Sequence, residues 1–336
     1  MKCFEIQQFG IEHLVLAEHE KPSPAAGQVL VKVRAASLNY RDLMVVRGLY
    51  NPRMKLPMVP LSDCAGVIEA VGPGVDRFAP GDPVAGIFMQ GWQDGRIDRQ
   101  KSNTALGGAI QGVLREWMVF DQSGIVRTPP HLTAVEAATL PCAAVTAWHA
   151  LFEHGALDPG DVVLIQGTGG VSLFALQFAK AAGCRVIITS SSDEKLARAR
   201  QLGADDSINY RANPDWDETA RKLTGGTGVD HIIEVGGSDT LPRSLKAIRM
   251  AGTISVIGVL GGVAACVNPT SILMNSLRLQ GIYVGSRAMF ERMNRAIATH
   301  ALKPVVDRVF PFTEFPEALR YMETQQHFGK ICLTLA

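Results

Sequence analysis

The sequence has almost no excess of charge of either sign. Its 33 basic and 32 acidic residues leave a formal net charge of +1 over 336 residues. Nucleic-acid and membrane-surface partners attract a protein through a concentrated basic field, which this composition does not supply. We therefore expect no nucleic-acid partner and no membrane partner, and we expect a small molecule as the ligand.

Long apolar runs are also missing. The longest apolar stretches, 140–152 and 255–267, are interrupted by His149 or by glycines, and both are shorter than the roughly 20 residues that a helix needs to cross a bilayer. Residues 1–21 mix acids and bases and lack the apolar centre of a secretory signal peptide. These features predict a cytoplasmic protein.

Metal-ligand patterns are absent as well. None of the six cysteines belongs to a Cys-x-x-Cys pair, which favours a reduced intracellular protein without a structural metal cluster. Among the eight histidines, His149 and His154 are five residues apart in a helix-like run. That spacing is expected to keep the two side chains off a common helix face.

The length and the pattern of the chain predict two domains. The first third is β-rich, with apolar, β-branched segments at 28–35 and 63–71 separated by glycine and proline turns. Residues 90–112 are polar and glycine-rich, as is typical of a long surface excursion that is either functional or disordered. The tail, 303–336, returns to strand-like segments and is expected to rejoin the first domain.

From residue 161 onward, short apolar strands alternate with amphipathic helices, which predicts a parallel sheet of the doubly wound, dinucleotide-binding kind. The predicted strands are Val162–Gln166, Arg185–Thr189, Asp206–Tyr210, His231–Val235, Thr253–Val259 and Leu279–Val284. The predicted helices are Val171–Ala182, Glu194–Leu202, Asp215–Leu223 and Leu241–Arg249.

A glycine loop joins the first of these strands to the first helix. Gly167, Gly169 and Gly170 precede Val171, and Ser172 stands at the third position of G-x-G-x-x-G. Glycines allow the backbone to approach a pyrophosphate, and the helix N-terminus offers free N–H groups to it. A loop that is merely a flexible turn would not explain why a strand comes directly before it and a helix directly after it. The loop therefore predicts a dinucleotide site.

The end of the second strand bears on the choice of cofactor. An NAD enzyme usually has a carboxylate there, which would repel a 2′-phosphate. Ser190 holds that position, with Ser191 beside it and Lys195 one turn into the helix. This favours NADPH. The alternative is that the serines only cap the helix.

The chain resembles the medium-chain dehydrogenase/reductase superfamily over its whole length, and most of all its zinc-independent, quinone oxidoreductase-like branch. The resemblance rests on Ser37–Asp42, on 66–72 with Gly81-Asp82, on Ala137–Trp148, on the glycine loop, on Lys195 with 202–210, and on Gly329-Lys330. It implies a GroES-like β-barrel catalytic domain (1–127 and 288–336), a Rossmann domain (128–287), a cleft joining them, and a homodimer. It also implies that Lys195 and Tyr210 hold the 2′-phosphate region.

The resemblance also locates the catalytic zinc ligands of the zinc-dependent members. The three positions are Asn39, Ser62 and Cys142, so one thiol remains where about three protein ligands are needed. The segment 90–112, where those enzymes carry a structural zinc lobe, contains no cysteine. We expect no metal, and we expect Cys142 to be a small buried apolar residue.

Without zinc, conjugated acceptors become better substrates than plain aldehydes, because conjugation already activates the accepting carbon. Asn39 lies where the family has an amide near substrate and nicotinamide, and Tyr50 matches the proton-donating tyrosine of related enoyl reductases. Tyr40 is a weaker substitute for Tyr50. Alternatively, Tyr50 is a loop aromatic that only packs.

Further contacts are expected from position in the family's fold. Thr146, Ile257, Val259, Val284 and Ser286 are expected near the nicotinamide, and Gly236 near the ribose. Trp92 either walls the substrate pocket or belongs to a surface or dimer loop.

The sequence thus predicts a zinc-independent NADPH-dependent oxidoreductase that reduces quinones, enones or enals. Two alternatives remain open, a metal-free alcohol dehydrogenase or carbonyl reductase, and a non-catalytic NADPH-binding regulatory protein.

Overall fold

The structure is a computed structural model that describes residues 1–262 and 267–335, and Cys266 lies outside these described residues. The chain divides into two compact units, one formed by Met1–Val145 and Val284–Ala336 and the other by Thr146–Tyr283. The sequence predicted the boundaries at 127/128 and 287/288.

Strands and helices are numbered in chain order. The strands are β1 (Lys2–Ile6), β2 (Leu14–Glu18), β3 (Gln28–Ser37), β4 (Asp63–Val71), β5 (Pro83–Gly86), β6 (Trp117–Asp121), β7 (Ile125–Arg127), β8 (Val162–Gln166), β9 (Arg185–Ser190), β10 (Asp206–Asn209), β11 (Val229–Glu234), β12 (Ile248–Val256), β13 (Arg278–Gly281), β14 (Val306–Pro311) and β15 (Lys330–Thr334). The α-helices are α1 (Tyr40–Val46), α2 (Arg99–Ser102), α3 (Ala134–Ala137), α4 (Val145–Trp148), α5 (Gly170–Ala181), α6 (Asp193–Gln201), α7 (Trp216–Leu223), α8 (Leu241–Ala247), α9 (Pro269–Met274), α10 (Arg287–Thr299) and α11 (Phe315–Glu323).

The first unit is built on a seven-stranded sheet in the order β14-β15-β3-β4-β5-β7, and β6 also pairs with β3. The long strand β3 has three partners because β6 pairs with residues 28–32 and β15 with residues 35–37, while β4 pairs along the other edge. The tail returns to this sheet as predicted, since β15 pairs antiparallel with β3. This pairing brings Lys330, at the start of β15, next to Leu38.

The second unit contains a six-stranded sheet in the order β10-β9-β8-β11-β12-β13. All five pairs of neighbours are parallel. The central strands contain buried apolar runs, such as 163–165 in β8 and 232–233 in β11, as is typical of a parallel sheet covered by helices on both faces. The strand order reverses between β8 and β11, and doubly wound sheets bind their ligands at this switch point. The predicted α/β fold of this unit is confirmed.

The largest local difference from the sequence prediction lies between α8 and β12. The helix was predicted to reach Arg249, but it ends at Ala247, and β12 begins at once at Ile248. Ile248 pairs with Val229 of β11, ahead of a register shift, so pairing with the sheet extends the strand toward the N-terminus. Within the described residues, no helix is both long and apolar enough to cross a membrane.

Candidate functional site

The glycine loop lies between β8 and α5, at the switch point of the second unit. Gly167 has a φ of 70°, a left-handed conformation that favours glycine, and Gly169 is the N-cap residue of α5. A Cβ built on Gly169 would meet no atom within 4 Å, so the space beside the loop is open. Gly170 and Val171 open the helix. An open cradle at a helix N-terminus fits a pyrophosphate.

Ser172, which replaces the third glycine of the motif, ties this helix to its strand. Its hydroxyl donates to the backbone oxygen of Gln166 at 2.7 Å, and the side chain is buried. A small hydrogen-bonding residue therefore allows the close packing of helix on strand that glycine provides elsewhere.

A buried polar network supports the loops at the ends of β8 and β11. The Glu234 carboxylate accepts hydrogen bonds from Gln166 Nε2 at 2.7 Å and from the Thr240 and Ser244 hydroxyls. It also accepts the backbone N–H groups of Gly236 at 2.9 Å and Gly237 at 3.1 Å. Neither Gln166 nor Glu234 was expected from the sequence to belong to the site. The available signal was a polar residue ending each of two apolar strands.

The end of β9 brings together the residues that bear on the choice of cofactor. Ser190 is buried, and its backbone oxygen accepts the N–H of Tyr210 at 3.1 Å. Ser192, rather than Ser190 or Ser191, caps α6 by accepting the N–H of Lys195 at 3.3 Å. The capping role that was the alternative explanation for the serines therefore falls to Ser192.

The two acidic residues that follow these serines, Asp193 and Glu194, lie in the first turn of α6 and not at the end of β9. Asp193 accepts a hydrogen bond from Asn209 Nδ2 at 2.8 Å, and Glu194 is exposed in the first turn of α6. Neither carboxylate occupies the end of β9.

The other predicted cofactor residues fall in both units. In the second unit, Thr146 is buried, Val259 is exposed, and the N–H of Ile257 donates to the backbone oxygen of Glu234 at 2.9 Å. In the first unit, Val284 is buried, and the buried Ser286 hydroxyl caps α10 by accepting the N–H of Met289 at 3.3 Å. Because it serves as a cap, the Ser286 side chain is engaged within the protein.

A polar cluster lies at the start of α1 in the first unit. The Lys330 ammonium is 3 % exposed and donates to Asn39 Oδ1 and to the backbone oxygen of Leu38, each at 2.6 Å. The Ser62 hydroxyl donates to Asp63 Oδ1 at 2.6 Å, and the N–H of Cys142 donates to Asp63 Oδ2 at 3.1 Å. Burial raises the pKa of Asp63, and the Lys330 charge opposes that rise.

Arg41 and Asp42 continue this cluster. The Asp42 carboxylate accepts the N–H of Asn39 at 2.8 Å, and its other oxygen lies 3.6 Å from Arg41 Nη1. Burial raises the pKa of Asp42 to about 6 although the Arg41 charge opposes the rise. Burial alone would lower the pKa of Arg41, but Asp42 and then Tyr50 outweigh it, so this pKa is raised. Neither Arg41 nor Lys330 was expected from the sequence to belong to the site.

The two tyrosines proposed as proton donors are similarly exposed, Tyr40 at 42 % and Tyr50 at 43 %. They differ in their relation to the cluster, because the Arg41 guanidinium lies 5.2 Å from the centre of the Tyr50 ring. Tyr40 is the first residue of α1, directly after Asn39. The structure therefore brings Tyr50 together with Arg41.

The three positions that hold catalytic zinc in zinc-dependent relatives do not form a zinc ligand set here. The Asn39 oxygen is engaged by Lys330, and the Ser62 hydroxyl donates to Asp63. Burial, with Asp63 nearby, raises the pKa of the Cys142 thiol, which opposes the thiolate that zinc requires. An amide and an alcohol leave a single thiol as a strong ligand, and a buried ammonium already holds the amide oxygen, so the three side chains do not fit the metal.

One group of metal-ligating side chains does occur among the described residues, where the sequence showed no pattern. Cys3, Glu5 and His19 place their ligand atoms within 4.8 Å of one another, because antiparallel pairing of β1 with β2 brings the start and the end of this hairpin together. The nearby Arg115 interacts with Cys3 and Glu5, and a cation in that place opposes the binding of a metal ion.

Two other expectations are corrected by the structure. The rings of His149 and His154 lie 4.9 Å apart, because residues 149–153 form a π-helical turn in which positions five apart share a face. Trp92 is 1 % exposed, and its Nε1 donates to the backbone oxygen of Gly95 at 2.9 Å, so this residue belongs to the interior rather than to a surface loop.

Two family descriptions match the chain. Residues 25–130 match the alcohol dehydrogenase GroES-like domain, and residues 170–299 match the zinc-binding dehydrogenase domain. The two matches correspond to the predicted GroES-like and Rossmann domains, so the fold class is confirmed.

Individual relatives extend over nearly the whole length. A zinc-type alcohol dehydrogenase-like protein of Schizosaccharomyces pombe is 46% identical over 334 residues, which cover 97% of this chain and 96% of the relative. The crystal structure of an NAD-dependent alcohol dehydrogenase is 34% identical, covers 100% of both chains and has a TM-score of 0.92. A mycobacterial protein, Rv1454c, solved in complex with NADPH, is 26% identical, covers 100% of both chains and has a TM-score of 0.83. Together with the dinucleotide loop and the two domain matches, these likenesses establish that the chain belongs to the medium-chain dehydrogenase/reductase family of nicotinamide-dependent oxidoreductases.

Proposed function

We propose that the protein is a zinc-independent, NADPH-dependent reductase of quinones and α,β-unsaturated carbonyl compounds, enones and enals. The observation that carries the proposal is the replacement of the zinc ligand set by the hydrogen-bonded cluster of Asn39, Ser62, Asp63 and Lys330. A conjugated acceptor needs donors for its oxygen and a proton rather than a Lewis-acid metal, and this cluster supplies donors.

The chemistry divides between the cofactor and the chain. NADPH, when bound, supplies the hydride. Asn39 would help to orient the acceptor through its amide nitrogen, since Lys330 already occupies its oxygen. Tyr50 would donate the proton that completes the reduction.

The experiment that tests the function is NADPH consumption by chelator-treated protein against quinones, enones, enals and plain aldehydes. We expect turnover of the conjugated acceptors only. Turnover of plain aldehydes alone would instead favour the metal-free carbonyl reductase, which the alcohol dehydrogenase relatives also support. NADPH binding without turnover of any acceptor would favour a non-catalytic NADPH-binding regulatory role.

Metal analysis of the purified chain tests zinc independence separately. One zinc per chain that persists in Cys3→Ser would contradict the proposal. Zinc that is lost in Cys3→Ser would instead be assigned to the cluster of Cys3, Glu5 and His19, away from the positions of the family's catalytic zinc.

The preference for NADPH is supported by the absence of a carboxylate at the end of β9, where Ser190 stands, and by Lys195 and Tyr210 nearby. Lys195→Ala should weaken NADPH binding about tenfold and leave NADH binding within about twofold, because only NADPH has a 2′-phosphate to lose a cationic partner. Titration of both cofactors into wild type and variant measures this. Tighter binding of NADH than of NADPH by wild type would overturn the assignment.

The two exposed tyrosines offer a matched pair for the proton donor. Tyr50→Phe should lower the rate of enone reduction by about 10²-fold, the scale of one general acid, without changing NADPH affinity. Tyr40→Phe removes the same hydroxyl from a side chain of nearly equal exposure and should leave the rate within a few-fold. Equal rates for wild type and Tyr50→Phe would leave Tyr50 with a packing role only.

We also propose a homodimer formed through the edge strand β13 of the second unit, in the cytoplasm. Exposed apolar side chains occur in this unit at Leu273 (75 %) and Met274 (68 %), and such exposure is typical of an interface. Light scattering should give the mass of two chains for wild type and for Val309→Glu, an exposed site in the other unit, and of one chain for Leu273→Glu. A monomeric wild type would contradict the dimer, and cell fractionation tests the location.

A further inference from the structure

The Arg41 guanidinium is the least satisfied cation of the polar cluster in the first unit. Its three nitrogens are closed off from water, and among the described residues the Tyr50 hydroxyl is the one hydrogen-bonding group that interacts with them, outside the geometry of a good hydrogen bond. The carboxylate of Asp42 lies 3.6 Å from Nη1, beyond hydrogen-bond distance. Lys330, in contrast, makes two short hydrogen bonds within the protein.

Arg41 is also held firmly in place. Its guanidinium lies 4.6 Å from the centre of the Phe88 ring and 5.2 Å from that of Tyr50. A Cβ added at Gly108 would collide with Arg41 Nη2, so the absence of a side chain at Gly108 leaves space for the guanidinium. Packing against the two aromatic rings holds the guanidinium in this space.

A buried guanidinium without acceptors costs folding free energy, since its N–H groups have given up water and gained no partner. A ligand that supplies the missing acceptor would offset this cost. The acceptor that suits several N–H groups on a full positive charge is an oxygen carrying negative charge.

The Tyr50 hydroxyl helps to locate that oxygen. It lies close enough to Arg41 to interact with its charge, and the Tyr50 side chain is partly exposed. An oxygen that enters beside Tyr50 can therefore meet the phenolic O–H and the guanidinium together. Reorientation of Tyr50 would complete the access to the Arg41 nitrogens.

We propose that Arg41 stabilises the negative charge that forms on the carbonyl oxygen of a conjugated acceptor during reduction, in the electrostatic role that a zinc ion would take. The proposal rests on the function proposed above and adds a catalytic residue to it. When hydride adds to the β-carbon, the C=C π electrons form the enolate C=C bond and the C=O π electrons move onto oxygen. Arg41 donates to that oxyanion, and the proton that Tyr50 would supply then adds to the α-carbon, which leaves the saturated carbonyl compound and the oxidised cofactor.

The first test compares Arg41→Gln, which removes the charge, with Arg41→Lys, which keeps it. For a neutral enone, Arg41→Gln should lower kcat by about 10²-fold to 10³-fold, as does removal of an oxyanion donor elsewhere. KM and NADPH affinity should change by no more than a few-fold, because the charge forms only in the transition state. Arg41→Lys should recover part of kcat.

Arg115→Gln is the matched control. Arg115 is also a partly buried arginine of the first unit with an unpaired Nε, but it lies beside Cys3 and Glu5. It should keep the wild-type kcat, so a general loss of folding can be told from loss of the oxyanion partner. A loss confined to acceptors that carry a carboxylate, and expressed in KM, would make Arg41 an anchor for that carboxylate and would overturn the proposal.

The second test needs no turnover. Para-nitrophenol ionises near neutral pH, its phenolate is coloured, and its oxyanion resembles an enolate oxygen. Wild-type protein should bind the phenolate at least tenfold more tightly than Arg41→Gln does, and Arg115→Gln should bind like wild type. Equal phenolate binding by wild type and Arg41→Gln would overturn the Arg41 inference.

The two tests separate this inference from the proposed function. If wild type reduces no conjugated acceptor, the proposed function fails by itself. If phenolate binding still depends on Arg41 in that case, Arg41 binds an anionic oxygen, and only its role in the reduction of conjugated acceptors is refuted.

Discussion

The buried His231 makes the stability of the second unit sensitive to acid. It lies in β11, is 1 % exposed, and shares a hydrogen bond with the Ser255 hydroxyl at 2.9 Å. Burial lowers its pKa to about 4, and the charge of Arg278 acts in the same direction. The folded chain therefore keeps this imidazole neutral at a pH where an exposed histidine is protonated.

The size of the effect follows from linkage. The unfolded chain, with a histidine pKa of about 6.5, takes up a proton as the pH falls through 6.5, whereas the folded chain does so only near 4. The stability that His231 contributes by remaining neutral is thus fully present above about pH 6.5 and is lost as the pH falls from 6.5 to 4. Between pH 7 and pH 5 the loss amounts to about 2 kcal/mol.

His231→Gln removes the ionisable group while keeping a polar side chain. Urea unfolding at pH 7 and pH 5, at one ionic strength, should give a decrease in unfolding free energy that is about 2 kcal/mol smaller for the variant than for wild type. Other titrating groups are shared and cancel in this comparison. His300→Gln, at an exposed site in the first unit, should show the same decrease in unfolding free energy between pH 7 and pH 5 as wild type. Equal losses for wild type and His231→Gln would refute the linkage to His231.

Two further substitutions probe the two sites. Glu234→Gln should lower the unfolding free energy by about 2–4 kcal/mol, because an amide NH₂ facing the Gln166 donor leaves buried hydrogen bonds unmade. Urea unfolding measures the free energy of unfolding, with Glu218→Gln as the control. This exposed substitution should change the free energy of unfolding by less than about 0.5 kcal/mol. An equally small change for Glu234→Gln would contradict the role of the network. Cys142, whose thiol pKa is raised by burial, should resist iodoacetamide at pH 8 in the folded protein, and Cys142→Ala should retain activity. Rapid labelling of the Cys142 peptide in mass spectrometry would show an accessible thiolate instead.

The dinucleotide half of the protein was largely predictable from sequence because its signals are local. Apolar runs of five or six residues, alternating with helical periodicity, gave six strands close to their observed bounds, and the glycine loop stands between β8 and α5 as expected. The errors lie at element ends, as at Ile248, where pairing with a neighbouring strand extends the element.

The polar cluster around Asn39 shows what sequence patterns could not contain. Asn39 and Lys330 are separated by 291 positions, and only the antiparallel pairing of β15 with β3 brings their side chains to 2.6 Å. The contact between Arg41 and Gly108 has no local signal either, and the π-helical turn that joins His149 to His154 overrides ordinary helical spacing.

The sequence by itself determined the parallel sheet, the phosphate loop and the replacement of two of the three zinc ligands by Asn39 and Ser62. Local propensity and side-chain chemistry suffice for each of these. Only the tertiary structure decided that Lys330 contacts Asn39, and that Arg41 is buried beside Asp42 and Tyr50. Burial and hydrogen-bond geometry between distant segments depend on the packing of the whole unit, which no single stretch of sequence encodes.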